Sequence, residues 1–208
     1  MKLFPLSLII KLKILKRFLF YKSEYNSWLQ SGKPIPPPHL AKRELLKKYQ
    51  NKYKINILVE TGTYLGEMVF AQKDNYKSIY SIEIQPELYT AAKRRFMNYK
   101  NINILFGDSG EMMSELVQNL EEKALFWLDG HYSGGITGKS ETECPIFNEL
   151  LPILNDNKNH IIIIDDANCF IGKNDYPTID ALIRFVESQN KYYSSKLEDN
   201  AIILEINN

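Results

Sequence analysis

Five short apolar runs, helix-like stretches between them and a chain long enough for one sizeable core predict an α/β fold with a doubly wound, mostly parallel sheet. The runs are INILVE (55–60), SIYSIEI (78–84), INILFG (102–107), ALFWLD (124–129) and HIIIIDD (160–166), rich in β-branched and aromatic side chains. Amphipathic stretches at Gly66–Lys73, Pro86–Tyr99, Gly110–Leu120 and Thr142–Leu154 separate them, and another covers Thr178–Gln189. Two more strand-like runs, Tyr192–Leu197 and Ala201–Ile206, flank the turn-prone pair Asp199-Asn200. They predict an antiparallel C-terminal hairpin at one side of the sheet. In such a sheet, ligands gather at the carboxyl ends of the strands.

The 208 residues carry a formal net charge of +1, unevenly spread. Residues 1–54 hold a net +11 and residues 55–208 a net −10. The chain therefore divides into a basic N-terminal helical extension with a Pro-rich linker (1–54) and an acidic domain (55–208). In residues 1–29, apolar side chains surround Lys11, Lys13, Lys16 and Arg17 at helical spacing. Two readings stay open. The segment lies peripherally on an anionic membrane surface with Trp28 near the headgroups, or it packs on the body or on a second copy in a homo-oligomer. Residues 31–39 (SGKPIPPPH) read as an extended linker, because three successive prolines exclude a helix. A short basic helix over Leu40–Tyr49 leads into the domain.

No apolar run approaches the ~18 residues of a spanning helix. Basic residues follow the apolar run Leu3–Ile10, the reverse of a secretory signal. Cys144 and Cys169 lack metal-site or disulfide-scaffold spacing. These features predict a cytoplasmic protein, peripheral at the inner face of the membrane if the front helix binds lipid. Acidity of the domain argues against a nucleic-acid partner.

The polar residues of note fall at the predicted strand ends. The first strand runs into Glu60-Thr61-Gly62-Thr63-Tyr64-Leu65-Gly66, where Gly62 and Gly66 permit a tight turn and close approach of a ligand. Glu83 ends the second strand, 21 residues after Gly62, where an acidic side chain bonds the ribose of an adenosine-bearing cofactor. Asp108 and Ser109 end the third strand, placed to meet an adenine edge or to cap the next helix. Trp127, within a strand, reads as packing, and His39 and His160 as non-catalytic.

The motif from Glu60 to Gly66, the run Ser81-Ile82-Glu83-Ile84-Gln85-Pro86 and the turn Gly107-Asp108-Ser109 resemble the catechol and caffeoyl-CoA O-methyltransferases. The resemblance covers residues 55–170 and implies a Rossmann-like, class I S-adenosylmethionine-dependent methyltransferase. It implies that Glu60, Gly62, Tyr64 and Gly66 surround the methionine part of the cofactor, that Glu83 binds the ribose and that Asp108 and Ser109 meet the adenine. Tyr64 stands where dinucleotide-binding loops carry glycine, and without GxGxxG a hydride-transferring enzyme is disfavoured.

Asp129 ends the fourth strand, with His131 two residues on, and Asp165 and Asp166 end the fifth. In the sheet order that the resemblance implies, these two strands are neighbours, so three carboxylates converge. They repel unless protonated or bound to a cation, and oxygen-only ligation suits Mg2+. The pattern resembles the antibiotic-sugar O-methyltransferases, whose ligands come from Asp-Gly-Asp and Asp-Asp stretches. That resemblance implies Asp129, Asp165 and Asp166 as metal ligands, with Asp129 also facing the cofactor. His131 replaces the second Asp of the first stretch and offers a general base. Asp165-Asp166 could instead serve as a turn-capping pair. The glycine-rich loop Tyr132–Cys144, with Lys139, reads as a lid. The implied reaction is methylation of a hydroxyl on a sugar, glycan or other small acceptor. A metal-independent methyltransferase and a non-catalytic scaffold are the competing readings.

Overall fold

The computed structural model describes residues 21–130 and 144–206. Among them the strands are β1 (Ile57–Thr61), β2 (Ser78–Glu83), β3 (Ile102–Phe106), β4 (Ala124–Leu128), β5 (Ile161–Ile164), β6 (Tyr193–Glu198) and β7 (Ala201–Ile206). Residues 21–30 are helical (α1). The other helices are α2 (His39–Tyr53), α3 (Glu67–Gln72), α4 (Pro86–Phe96), α5 (Ser109–Gln118), α6 (Ile146–Asn155) and α7 (Ile179–Gln189). The strands form one sheet in the order β3-β2-β1-β4-β5-β7-β6. β1 to β5 run parallel, while β7 pairs antiparallel with both β5 and β6. The strand order reverses direction between β1 and β4, the topological point at which ligands of open α/β sheets bind.

Strand periodicity sorts the core into two layers. Leu58, Leu125, Trp127, Ile161, Ile163 and Ile203 share one cluster with Leu45, Leu46 and Tyr49 of α2, Val69 of α3 and Phe96 of α4. Their alternate neighbours Val59, Phe126, Leu128, Ile162, Ile164 and Leu204 pack with α5, α6 and α7 through Met113, Leu150 and Leu182. Adjacent strand residues point to opposite faces, so unbroken apolar runs such as IIII are what a sheet covered on both sides requires. Full burial of each such side chain is worth about 1.5–3 kcal/mol.

Local signals set the helix starts. Pro86 opens α4 at its first turn, where its missing N–H costs nothing. The Asp108 side chain caps α5, and the Thr178 hydroxyl caps α7. Asp199 and Asn200, both at positive φ (47° and 64°), make the two-residue turn between β6 and β7.

Helix α2, which belongs to the basic extension in sequence, lies directly on the sheet. Its stripe Ala41, Leu45, Leu46 and Tyr49 is buried. Tyr49 Oη donates to Glu198 Oε2 at 2.9 Å, tying the helix to β6. Upstream, the Trp28 indole N–H donates to the Pro34 carbonyl at 2.8 Å, so the proline-rich segment folds back on α1. Among the described residues, no helix is long and apolar enough to cross a membrane.

Candidate active site

The carboxyl ends of β1, β2, β3, β4 and β5 bring the predicted residues to one edge. Gly62 follows β1 at φ 81°. A Cβ there would lie 2.5 Å from the Asp129 carbonyl oxygen, so only glycine lets the exits of β1 and β4 run this close. The N–H groups of Gly62 and Thr63 both donate to Ile82 O, at 3.0 and 3.1 Å, which holds the turn against β2. Asp129 N–H donates to Thr61 Oγ1 at 3.2 Å. Gly66, also at positive φ (67°), begins α3 where a Cβ would meet the Phe96 ring at 2.7 Å.

Beneath this turn lies a buried polar chain. The Ser81 hydroxyl donates to Glu60 Oε2, and its oxygen lies 2.6 Å from Thr63 Oγ1. Burial pushes the Glu60 carboxyl up to about 8, against the pull of the Ser81 bond, and nearby Asp129 and Glu83 add to the rise.

Glu83 has a structural task in addition to its expected ribose contact. Its Oε2 accepts from Tyr64 N–H at 2.7 Å and its Oε1 from Gln85 N–H at 2.8 Å. It therefore clamps the β1 turn to the exit of β2. Burial raises its pKa, and these backbone bonds oppose the rise. Asp108 Oδ1 caps α5 by accepting from the N–H groups of Gly110 at 2.8 Å and Glu111 at 3.3 Å. Ser109 Oγ donates to Glu149 Oε1 at 2.6 Å.

Glu149 is a site residue that sequence reasoning missed. It is buried on α6, and a Cβ on Gly130 would lie 3.1 Å from its Oε1. The signal was there: Glu149 interrupts the apolar stripe Ile146, Leu150, Ile153 on an otherwise amphipathic helix.

Asp129, Asp165 and Asp166 come together, with one ligand atom from each within 4.8 Å of the others. Adjacency of β4 and β5 explains this, and Asp165 N–H extends their ladder by donating to Leu128 O at 3.0 Å. Asp165 is fully buried. Its Oδ1 accepts from Asp166 N–H at 2.8 Å, and its Oδ2 accepts from the Lys42 ammonium. Lys42 Nζ also lies 3.4 Å from Asp166 Oδ1. Burial, followed by repulsion from Asp129, raises the Asp165 pKa, and the Lys42 ammonium beside it pulls the other way. Burial alone would lower the Lys42 pKa, but Asp165, Asp129 and Asp166 outweigh it and hold the ammonium above its ordinary range.

Lys42 was the second residue missed, because it sits in the basic front segment. Its position carried a sign: with Leu45, Leu46 and Tyr49 it falls on one helical stripe that is otherwise apolar and buried. His131 and the lid residues Tyr132–Glu143, including Lys139, lie outside the described residues.

The acidic cluster fits a hard divalent cation. All three donors are carboxylate oxygens, at least one is fully buried, and one ammonium leaves the negative charge in excess. Asp129, Asp165 and Asp166 would hold it.

No protein-family profile matches this sequence, and no curated protein does. Solved structures match along most of its length. The methyltransferase PaMTH1 of Podospora anserina, bound to S-adenosylhomocysteine, is 13% identical with a TM-score of 0.58, covering 99% of this chain and 89% of its own. An O-methyltransferase of Bacillus cereus in complex with S-adenosylhomocysteine is 12% identical with a TM-score of 0.58, covering 89% and 91%. The O-methyltransferase TomG of Streptomyces achromogenes, involved in tomaymycin synthesis and solved with S-adenosylmethionine, is 10% identical with a TM-score of 0.55, covering 89% and 87%. Strand order, site edge and these likenesses together give the chain the fold of the class I S-adenosylmethionine-dependent methyltransferases.

Proposed function

We propose that this chain is an S-adenosylmethionine-dependent O-methyltransferase that acts on a hydroxyl of a sugar, glycan or other small acceptor. The observation that carries the reading is the convergence of Asp129, Asp165 and Asp166 beside the Gly62 turn. Cofactor-binding and acceptor-activating groups thereby share one edge. When bound, S-adenosylmethionine supplies an electrophilic methyl group, and Mg2+ on the three aspartates supplies Lewis acidity toward the acceptor oxygen.

The protein's own residues bind, orient and take the proton. Glu60 and Asp129 present negative charge to the cationic amino-acid end of the cofactor. Glu83 holds the Tyr64 backbone in place and faces the ribose, while Asp108 and Ser109 border the adenine. His131 accepts the acceptor hydroxyl proton as oxygen attacks the methyl carbon. The carboxylates place the acceptor in line with the methyl, which removes much of the entropic barrier.

Calorimetric titration with S-adenosylhomocysteine tests the cofactor half, with a Kd in the roughly micromolar range expected. No heat at millimolar ligand would reject it. Transfer of labelled methyl to a panel of sugar and glycan hydroxyls, lost in excess EDTA, tests the rest. A second reading follows from Lys42, whose ammonium already offsets charge on Asp165 and Asp166. In that reading transfer is metal-independent with His131 as base, and EDTA leaves the rate unchanged.

A further inference from the structure

We propose that Lys42 is a tethered counter-cation that competes with a divalent ion for the Asp165–Asp166 pair. The inference rests on the cation site proposed above and concerns what guards it. Asp165 has one carboxylate oxygen engaged by the Asp166 backbone N–H and the other by the Lys42 ammonium. An ion that recruits Asp165 through Oδ2 must take or share the oxygen that Lys42 holds. The same ammonium reaches Asp166 Oδ1 at 3.4 Å, so both members of the pair are engaged at once.

Nor is this lysine a loose surface side chain. Leu45, Leu46 and Tyr49 bury the next turns of α2 against β1, β4 and β5, which fixes where residue 42 projects. The Lys42 side chain is 19% exposed, and that of Asp165 is 1% exposed. A dication entering beside a seated ammonium meets like-charge repulsion that bulk water screens poorly there. Without a metal, the ammonium relieves repulsion among the carboxylates and keeps them converged. Metal affinity is therefore set in part by α2, an element that contributes none of the ligands.

The test uses the full chain and Mn2+ as probe, followed by calorimetry and by the spin-resonance signal of free Mn2+. Lys42→Met keeps the length of the side chain and removes its charge, and Lys42→Arg keeps the charge. Lys42→Met is expected to bind Mn2+ at least ~10-fold more tightly than the native chain, and Lys42→Arg within ~3-fold of it. Titration with S-adenosylhomocysteine reports whether each variant retains the fold. Equal or weaker Mn2+ binding by Lys42→Met overturns the proposal and leaves the cation site standing. If neither protein binds Mn2+ while both bind S-adenosylhomocysteine, the cation site falls and the proposal with it.

A second readout needs no variant. Acetylation of Lys42 in the native chain, followed by mass spectrometry, should accelerate severalfold when saturating Mn2+ unseats the ammonium. An unchanged or slower rate overturns the competition.

Discussion

Glu60→Gln isolates one buried ionisation with almost no change of shape. The native carboxyl is fully buried at the end of β1, and burial moves its pKa from an ordinary 4.5 to about 8. At about 1.4 kcal/mol per pH unit, ionising it in the folded chain costs on the order of 4–5 kcal/mol more than in the unfolded chain. A pKa raised by folding means that the folded state holds its proton more tightly. The stability this confers is complete below pH 4.5 and is lost as pH rises through about 8. Urea unfolding of both proteins at pH 5 and pH 8 measures the effect. Native stability should fall between these pH values by about 3 kcal/mol more than that of Glu60→Gln. Any loss of the Ser81 hydrogen bond shifts the variant equally at both pH values and cancels in the comparison. Parallel behaviour of the two proteins would show that Glu60 ionises freely, and the reasoning from burial would fail.

Under the proposed function, the same carboxyl should link cofactor binding to protons. Placed beside the cationic end of S-adenosylmethionine, Glu60 should ionise on binding at pH 7 and release up to one proton. Titrations in buffers of different ionisation enthalpy would then diverge for the native chain and coincide for Glu60→Gln. Gly62→Ala forces a side chain to positive φ and into the Asp129 carbonyl. Backbone strain alone costs roughly 1–3 kcal/mol, or about 3–10 °C in Tm for a chain of this size. A melting curve superimposable on the native one would refute the close approach of β1 and β4.

The central strands were legible because β4 and β5 are unbroken apolar runs too short for a helix, and β1, β2 and β3 are short runs rich in apolar residues between turn signals. IIII in β5 and ALFWL in β4 read the same way in sequence and in space. The terminal hairpin was legible from Asp199-Asn200, but not which of its strands would meet β5. Its answer lies in composition, since AIILEI can be buried beside IIII and YSSKLE cannot. At the site, spacing from Gly62 located Glu83, yet nothing in spacing indicates that its oxygens clamp Tyr64 and Gln85. Backbone partners depend on the turn conformation, which side-chain pattern does not encode. Lys42 was hidden for another reason: 123 residues separate it from Asp165, and its charge merged with those of a basic segment whose other described lysines are exposed. Only its place on the apolar stripe of α2 distinguished it.

The insertion of β7 between β5 and β6 changes what a shortened chain would be. A translation stop at Asp199 would remove an inner strand, not trim an edge. The backbone of β5 would lose its partners at Ile202, Ile203 and Leu204, and β6 would lose its sole neighbour among the described strands. Ala167 N–H, just past the aspartate pair, would also lose its bond to Asn200 O at 2.7 Å. The acidic edge is thus finished from the far end of the sequence, and a fragment holding every residue of the cluster would still lack the strand that seats it.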